Sequence, residues 1–330
     1  MVALSAYLLA LTLLFLASSA VFSYVIAKPD KIKSILGDSG IYQQMPGVLY
    51  ENIEQENKDQ VTDISLSDPV VKQAALDSFN PQFFQDNVET AVDGTYAWLN
   101  GQTEIPEFVV DAEPAKNNFI DQVVDAKAAE AEKLPACSLQ QLRQIDPGSV
   151  NIYNLKCLPP GVSLGVVAER AKADLKNSQE FLGDTKLKAT DLKTEAGEPL
   201  FKPDSNLPSL FQLAKTLPLL LGLLSAILAA GVVLASPDRR KGLNRVAKLL
   251  VGVGIFTLLA PIIIQFTSGK LLPAVSGDKV VSTLVSPLVR EFNAAAAGIY
   301  YLVGGIMLAI GVILLVLIYK NIIKFPEAKK

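Results

Sequence analysis

The chain has 330 residues and a formal net charge of −3, half of its residues are hydrophobic, and it contains no histidine. Without histidine, catalytic triads with an imidazole base and metal sites with imidazole ligands are excluded. The small net charge hides a division: residues 28–216 carry 18 basic and 29 acidic side chains, a net of −11, whereas the remainder carries 12 and 4, a net of +8. The two parts are therefore expected to meet different environments.

Four apolar stretches are long enough to cross a membrane, since a helix of about 20 apolar residues spans a bilayer core of roughly 30 Å. They cover residues 1–27, 217–236, 246–266 and 294–319. Each is predicted to be a transmembrane helix, because lipid offers no partner to an unpaired backbone group. The sequence thus predicts an all-α integral membrane protein with four transmembrane helices and a mainly helical exported domain, residues 28–216, with minor β structure.

The first apolar stretch has two interpretations. Small residues ending at Ala20 are typical of a signal-peptidase site, and cleavage there would remove the segment. However, the apolar run is longer than the ~7–15 residues of a signal peptide, and no basic region precedes it. A retained transmembrane helix is the favoured interpretation.

Basic residues predict the orientation, because short positively charged segments beside transmembrane helices stay in the cytoplasm. The predicted loop 237–245 contains Arg239, Arg240, Lys241 and Arg245. The tail 320–330 is also basic, and it lies on the same side if four helices cross in turn. Both termini are therefore predicted to be cytoplasmic, with the protein in the cell membrane and residues 28–216 outside the cytoplasm.

Within residues 28–216, hydrophobic periodicity predicts four amphipathic helices that can close a small bundle. They are expected near residues 68–79, 80–101, 114–134 and 163–183. Asp68, Asn80 and Ser163 are predicted N-caps, and Gly101 and Gly183 predicted ends. Segments 106–112 and 186–192 are predicted to pair as a short β-ribbon.

The two cysteines, Cys137 and Cys157, both fall in the predicted exported domain. An oxidising compartment favours a disulfide between them. By reducing the chain entropy of the unfolded state, this disulfide would stabilise the fold by about 3 kcal/mol. The alternative is two buried free thiols. Two thiols without histidine supply too few ligands for a tetrahedral zinc site.

Small residues at four-residue spacing predict close helix packing within the membrane. They are Gly222, Ala226 and Ala230 on the second helix, and Gly305 and Ala309 on the fourth. Such faces serve packing within one chain or formation of an oligomer, and both alternatives stay open. The segment 267–293 is predicted to be an outer amphipathic helix in which Pro287 causes strain or a break.

The leading functional hypothesis is a non-enzymatic envelope scaffold, receptor or accessory subunit whose exported domain binds a partner or ligand. Its partners would be membrane lipid and a protein partner or second copy, while the acidic domain disfavours nucleic acid. One alternative is a subunit of an oligomeric channel or transporter. A second is an exported hydrolase that uses carboxylates such as Asp111 and Glu113. The sequence assigns no catalytic, cofactor-binding or metal-binding residue, and no cofactor.

Overall fold

The computed structural model describes residues 2–56, 65–142, 151–153, 155–178, 184–194, 196–275, 279–320 and 322. These residues form mainly α-helices, with one two-stranded β-ribbon. The elements in chain order are α1 (Val2–Val21), a π-helix (Phe22–Ile26), α2 (Pro29–Asp38), α3 (Ile41–Glu56), α4 (Pro69–Ser78), α5 (Pro81–Leu99), β1 (Val109–Asp111), α6 (Glu113–Ala131), α7 (Leu139–Leu142), α8 (Leu164–Asn177), β2 (Lys186–Lys188), a 3₁₀ turn (Ala189–Asp191), α9 (Leu207–Leu234), α10 (Arg239–Val275) and α11 (Lys279–Tyr319).

The chain divides into two compact units. The membrane unit comprises Met1–Ile41, Tyr96–Glu104 and Asp204–Lys330, and the disulfide unit comprises Tyr42–Thr95 and Ile105–Pro203. The disulfide unit thus falls inside the domain expected at residues 28–216. The flanking parts of that expected domain, and the end of α5, belong to the membrane unit instead.

Among the described residues, four helices are long and apolar enough to cross a membrane. They are Val2–Ile26, Leu207–Leu234, Arg239–Phe266 and Thr283–Tyr319, with mean hydropathies between 2.1 and 2.8. Their number and composition indicate a multi-pass, all-α membrane protein, as the sequence predicted.

Helix α1 supplies the centre of the membrane unit, since it packs against α9, α10 and α11. Leu9 and Leu13 of α1 are buried together with Val232, Val253 and Met307 of the other three helices. About 39% of the most apolar part of the first span is buried, against 11–22% for the other spans. The first span therefore has the largest buried share of the four.

Helices α10 and α11 pack closely because glycine allows their backbones to meet. A Cβ built on Gly254 would lie 2.9 Å from the Leu308 nitrogen and 3.0 Å from the Gly304 carbonyl oxygen. A Cβ on Gly311 would lie 2.9 Å from both the Ala247 oxygen and the Val251 nitrogen. No side chain larger than hydrogen fits at these two positions without moving the helices.

The predicted loop 237–245 is shorter than expected, because α10 already begins at Arg239. Asp238 precedes the helix and its Oδ1 accepts a hydrogen bond of 2.9 Å from the Arg240 backbone nitrogen. Likewise, the segment 267–293 is not a separate helix: α10 continues to Val275 and α11 begins at Lys279. Pro287 lies inside α11 and does not end it.

The end of α5 is anchored within the membrane unit at the π-helix that follows α1. The Tyr96 hydroxyl donates a hydrogen bond to the Ile26 carbonyl. The rings of Tyr96 and Phe22 each meet Phe211 of α9 edge to face, at centroid distances of 5.8 and 5.7 Å. The Ser23 hydroxyl donates to a backbone carbonyl of α9 at 2.9 Å. These contacts tie three elements together around one aromatic cluster.

The disulfide unit has its core between α4, α6 and α8. Val71 of α4, Ile120 and Val124 of α6, and Ala168 of α8 are all less than 5% exposed. Helix α5, the fourth predicted member of the bundle, contributes no residue to this cluster. Instead its Asn87 side chain accepts a hydrogen bond from the Asp111 nitrogen at 3.1 Å, so α5 packs beside the ribbon.

Most of the predicted local signals in this unit are confirmed. Asp68 caps α4 by accepting a bond from the Val70 nitrogen at 2.8 Å, and Asn80 caps α5 in the same way through the Phe83 nitrogen at 3.0 Å. The predicted ribbon forms, with β1 and β2 antiparallel. The side-chain cap expected of Ser163 is wrong, because its side chain makes no such bond. Gly183 lies outside the described residues.

Candidate ligand-binding site

An apolar cavity of about 360 Å³ lies within the disulfide unit, between α3, α4, α5 and α6. Its lining consists of Pro46, Leu49, Tyr50, Ile53, Leu66, Ala75, Phe79, Phe83, Phe84, Ala112 and Phe119. None of these residues carries a charge, and the volume is at the lower end of the roughly 300–1,000 Å³ of small-molecule pockets. The cavity therefore suits a small apolar ligand.

Helix α3 forms one wall, because its lining residues recur every three or four positions. Pro46, Leu49, Tyr50 and Ile53 consequently lie on one face of the helix. Leu49 and Ile53 are 38% and 48% exposed, so the cavity opens to the surface on this side. A contiguous apolar surface of this kind makes the opening a candidate binding site.

Three phenylalanines form the opposite wall at the turn from α4 to α5. The rings of Phe79 and Phe83 meet edge to face with centroids 5.4 Å apart, and those of Phe83 and Phe84 with centroids 5.2 Å apart. The Asn80 cap fixes the start of α5, which sets where Phe83 and Phe84 project. The local capping signal thus determines the position of this aromatic wall.

Tyr50 is the lining residue with a polar group, and that group is already bonded. Its hydroxyl donates a hydrogen bond to the Leu66 carbonyl, and the residue is only 7% exposed. Burial, and secondarily the charges of Glu54 and Asp68, raise the pKa of Tyr50 above its usual value. The hydroxyl therefore stays neutral and is committed to the backbone rather than to a ligand.

Lys72 lies beside a lining residue of the cavity, with its ammonium nitrogen 5.5 Å from the centroid of the Tyr50 ring. The geometry is that of a cation–π contact, which holds the charge over the aromatic face. Lys72 is exposed. Among the described residues, Lys72 thus places a positive charge beside a residue of an apolar lining.

An ion pair joins α4 to α6 close to this site. The Lys127 ammonium group donates a hydrogen bond to Asp68, the cap of α4. It donates a second one, of 2.9 Å, to Glu130. The hydrogen bond from Lys127 lowers the pKa of the Asp68 carboxyl, although burial opposes the shift. Because Asp68 also caps its helix, one carboxylate fixes both the start of α4 and its position against α6.

Two further ion pairs hold α6 against α8. Asp121 and Lys176 are 2.7 Å apart, as are Asp125 and Lys172. Hydrogen bonds with Asp125 and then Glu169 raise the pKa of Lys172 to about 12. These pairs orient α6, the helix that carries Phe119 into the cavity.

Cys137 and Cys157 lie at bonding distance, with the sulfur atoms 2.00 Å and the Cα atoms 4.8 Å apart. This fits the predicted disulfide. The backbone beside it is also paired, since the Cys137 nitrogen donates to the Leu158 carbonyl at 3.0 Å. Neither cysteine lines the cavity, so the bridge stabilises the unit at a distance from the candidate site.

The carboxylates considered for a hydrolase, Asp111 and Glu113, lie close together on the surface. Both approach the Lys186 ammonium group, at 3.7 and 3.3 Å, and their side chains are 44% and 53% exposed. Neither lines the apolar cavity. In the part of the chain that the structure describes, no group of three or more cysteine or carboxylate side chains is placed to hold a metal ion.

The five small residues predicted to pack helices lie away from the tight contacts. A Cβ on Gly222 or Gly305 would meet nothing within 4 Å, and Ala226, Ala230 and Ala309 are exposed. The backbone contacts of α11 are instead made by Gly304 and Gly311, as described above. Packing through the five predicted residues, within a chain or between copies, stays a prediction.

The four basic residues used to predict orientation lie in the first two turns of α10. Arg240 reaches the end of α11 and donates a hydrogen bond of 2.9 Å to the Ile318 carbonyl. A cation is favourable there because the carbonyls at a helix C-terminus are partially negative. The charge cluster therefore also joins α10 to the end of α11.

Sequence reasoning missed the cavity because it did not recognise α3. No helix was predicted over Ile41–Glu56, and Pro46 is accommodated inside α3. The spacing of Pro46, Leu49, Tyr50 and Ile53 is a helical signal that could have identified this wall. The other walls come from segments distant in sequence, and no local signal indicates that they meet.

The fold and the site together define a class: a multi-pass, all-α membrane protein whose disulfide unit contains an apolar cavity. Comparison of the chain with protein-family models, curated proteins and solved structures found no match.

Proposed function

We propose that this protein is a non-enzymatic membrane receptor or accessory subunit, and that its disulfide unit lies outside the cytoplasm and binds a small apolar molecule. The apolar cavity carries this proposal. Its lining offers a ligand carbon surfaces and aromatic rings, and the Tyr50 hydroxyl is already bonded to the backbone. Binding there would be driven by removal of apolar ligand surface from water.

The lining favours binding over chemical conversion of the ligand. A hydrolytic or group-transfer reaction needs a nucleophile or a general acid and base within hydrogen-bonding reach of the reacting atoms. The lining provides one hydroxyl, whose pKa is raised rather than lowered. A chain that binds without converting its ligand would act as a receptor, a carrier or a ligand-dependent subunit, with membrane lipid and a protein partner or second copy as its other contacts.

The proposed orientation rests on the basic residues at the start of α10 and in the tail. The disulfide between Cys137 and Cys157 supports an external location of this unit, because disulfides persist in oxidising compartments. The orientation can be tested with single reporter thiols, since both native cysteines are paired. The exposed positions Ser163, in the disulfide unit, and Pro237, before α10, suit such reporters.

A membrane-impermeant maleimide should label Ser163→Cys in intact cells. It should label Pro237→Cys only after the membrane is permeabilised. Labelling of Pro237→Cys alone in intact cells would show that the orientation is the reverse of the one proposed.

Ligand binding can be tested with the uncharged fluorophore N-phenyl-1-naphthylamine. The full chain would be reconstituted in phosphatidylcholine nanodiscs, and the signal of empty nanodiscs would be subtracted. The variant Ala75→Phe should abolish the remaining saturable signal, because Ala75 lines the cavity and a larger side chain would fill it. The variant Ala173→Phe, at an exposed position of α8, is the matched control and should bind as the native chain does.

Two results would contradict the proposal. One is the absence of saturable binding to the native chain. The other is equal binding by both variants, which would place the fluorophore elsewhere on the protein.

A further inference from the structure

We propose that the cavity takes a single-chain lipid whose one anionic head group is held by Lys72. This inference rests on the proposed function and adds the chemical class of the ligand. It follows from the position of Lys72, from the lack of a carboxylate partner for its charge among the described residues, and from the size of the cavity.

Lys72 shares a face of α4 with one residue of the lining, since Ala75 lies three positions further along the helix. Phe79, a second lining residue, follows directly after α4. The cation–π contact with Tyr50, at 5.5 Å, places the ammonium group beside the α3 wall as well. The charge is therefore next to both walls of the cavity, where the head group of a ligand would meet water.

The charge of Lys72 is available to a ligand. Across the described ranges, no carboxylate lies within 4.0 Å of its ammonium nitrogen. Other lysines of the same unit are paired: Lys127 with Asp68, Lys172 with Asp125, and Lys176 with Asp121. An anionic head group would supply Lys72 with a partner that the described carboxylates do not provide, and a charge-assisted hydrogen bond is the stronger kind.

The interior accommodates one acyl chain. At ~30 Å³ for each water-sized group, the cavity volume of about 360 Å³ corresponds to roughly a dozen such groups. A single chain of about ten to twelve carbons is comparable in size to this cavity. Four membrane-spanning helices in the same chain also keep the protein where lipids are abundant.

Glu54 and Asp68 oppose this arrangement, because the charge of each contributes to the raised pKa of the Tyr50 hydroxyl. Asp68 is already paired with Lys127, whereas Glu54 lies on α3 one turn after Tyr50. A carboxylate so placed would repel an anionic head group weakly. Removing its charge should therefore leave the affinity for an anionic ligand unchanged or increase it.

The test is displacement of N-phenyl-1-naphthylamine from the full chain in phosphatidylcholine nanodiscs, with partition into the bilayer measured on empty nanodiscs. The competitors are dodecyl phosphate, dodecanol and dodecyltrimethylammonium, which share a chain and differ in charge. Inorganic phosphate tests the head group without a chain. We expect dodecyl phosphate to bind about fivefold more tightly than dodecanol, the cation to bind more weakly than either, and phosphate alone to displace nothing.

The variants assign this preference to one residue. Lys72→Gln should reduce the ratio of the phosphate and alcohol affinities to about one, whereas Lys72→Arg should keep it. Lys133→Gln, at an exposed position after α6, is the matched control and should also keep it. Glu54→Gln should keep or increase it.

Four results would overturn the inference. Equal affinities of the native chain for dodecyl phosphate and dodecanol, or a preference that survives Lys72→Gln, would show that Lys72 does not hold the head group. Displacement by phosphate alone would show an anion site without a chain. Binding of the fluorophore that no dodecyl compound displaces would exclude a single-chain lipid. In all four cases the proposed function stands if Ala75→Phe still abolishes fluorophore binding, whereas loss of fluorophore binding by the native chain refutes both proposals.

Discussion

Replacing Gly254 by alanine would place a methyl group inside the backbone contact between α10 and α11. The added Cβ would lie 2.9 Å from the Leu308 nitrogen and 3.0 Å from the Gly304 oxygen, both of which are backbone atoms that cannot rotate away. The two helices must therefore separate locally. Gly252, on the same helix, provides the matched control because a Cβ there would meet nothing within 4 Å.

The magnitude follows from two opposing effects. Alanine in place of glycine in a helix contributes about 0.5–1 kcal/mol of stability at either position, because glycine is conformationally freer when unfolded. At Gly254, overpacking costs about 1–3 kcal/mol. The helix effect is common to both variants, so Gly254→Ala should be less stable than Gly252→Ala by about 1–3 kcal/mol.

The assay is unfolding of the full chain in detergent micelles, followed by circular dichroism. At about 2–4 °C per kcal/mol for domains of 150–250 residues, the two variants should differ in Tm by several degrees. A second pair of variants repeats the comparison on α11. Gly304→Ala should destabilise the protein, because a Cβ on Gly304 would lie 3.1 Å from the Gly254 oxygen. Gly305→Ala should not destabilise it, because a Cβ on Gly305 would meet nothing within 4 Å.

Equal stabilities within either pair would refute this account of the α10–α11 contact. A reversed order on α11, with Gly305→Ala the less stable, would show that this helix is rotated about its axis relative to the structure described above. It would also indicate that Gly305 and Ala309 pack against a neighbouring helix, as their spacing in the sequence predicts.

Three further predictions concern an ion pair, the disulfide and a hydrogen bond between α10 and α11. Asp68→Asn keeps a capping oxygen but removes the ion pair with Lys127, so we expect its unfolding free energy to fall by ~1 kcal/mol. Asp68→Ala removes both the cap and the ion pair, so its unfolding free energy should fall by ~2 kcal/mol. Because Lys127 lowers the pKa of Asp68, this ion pair stabilises the folded protein above the unfolded pKa of about 3.9, and the stabilisation is lost as pH falls through the lower folded pKa. In a plot of unfolding free energy against pH, Asp68→Asn should remove that loss at acidic pH. Cys137→Ser should cost about 3 kcal/mol, and dithiothreitol should lower the stability of the native chain but not of this variant. Arg240→Gln should cost ~1 kcal/mol by loss of the bond to the end of α11, with exposed Arg239→Gln as a neutral control; equal losses would contradict the observed bond.

Arg240 has a structural contact in addition to the topological role proposed for the basic cluster. Arginines in the first turn of α10 oppose the dipole of their own helix, since a helix N-terminus is partially positive. Asp238 offsets this before the helix begins, and Arg240 turns to the negative end of α11. The sequence supports a prediction of the charge and its proposed side of the membrane, but the partner of Arg240 lies 78 residues away.

Helix packing in the membrane illustrates the limit of a spacing rule. Four-residue spacing pointed to Gly305 and Ala309, whereas the close contacts use Gly304 and Gly311, which are seven residues apart. Both pairs satisfy a helical repeat. Which of them faces α10 depends on the rotation of α11, and that rotation is set by the whole interface rather than by the repeat.

The amino-acid sequence alone determined those features that depend on nearby residues. Long apolar runs indicate four membrane helices because lipid leaves backbone groups no other partner. Asp68 and Asn80 mark helix starts because a capping oxygen bonds nitrogens only two or three residues away. The β-ribbon was predicted from its two extended segments.

The tertiary structure alone decided the cavity. Its walls come from α3, α4, α5 and α6, and the space between them depends on how side chains from separated segments pack. The same holds for the pairing of Asp68 with Lys127 and for the position of Lys72 beside Tyr50. Hydrogen bonding and hydropathy act locally and can be read along the chain, whereas a cavity is defined by the atoms that packing brings together around it.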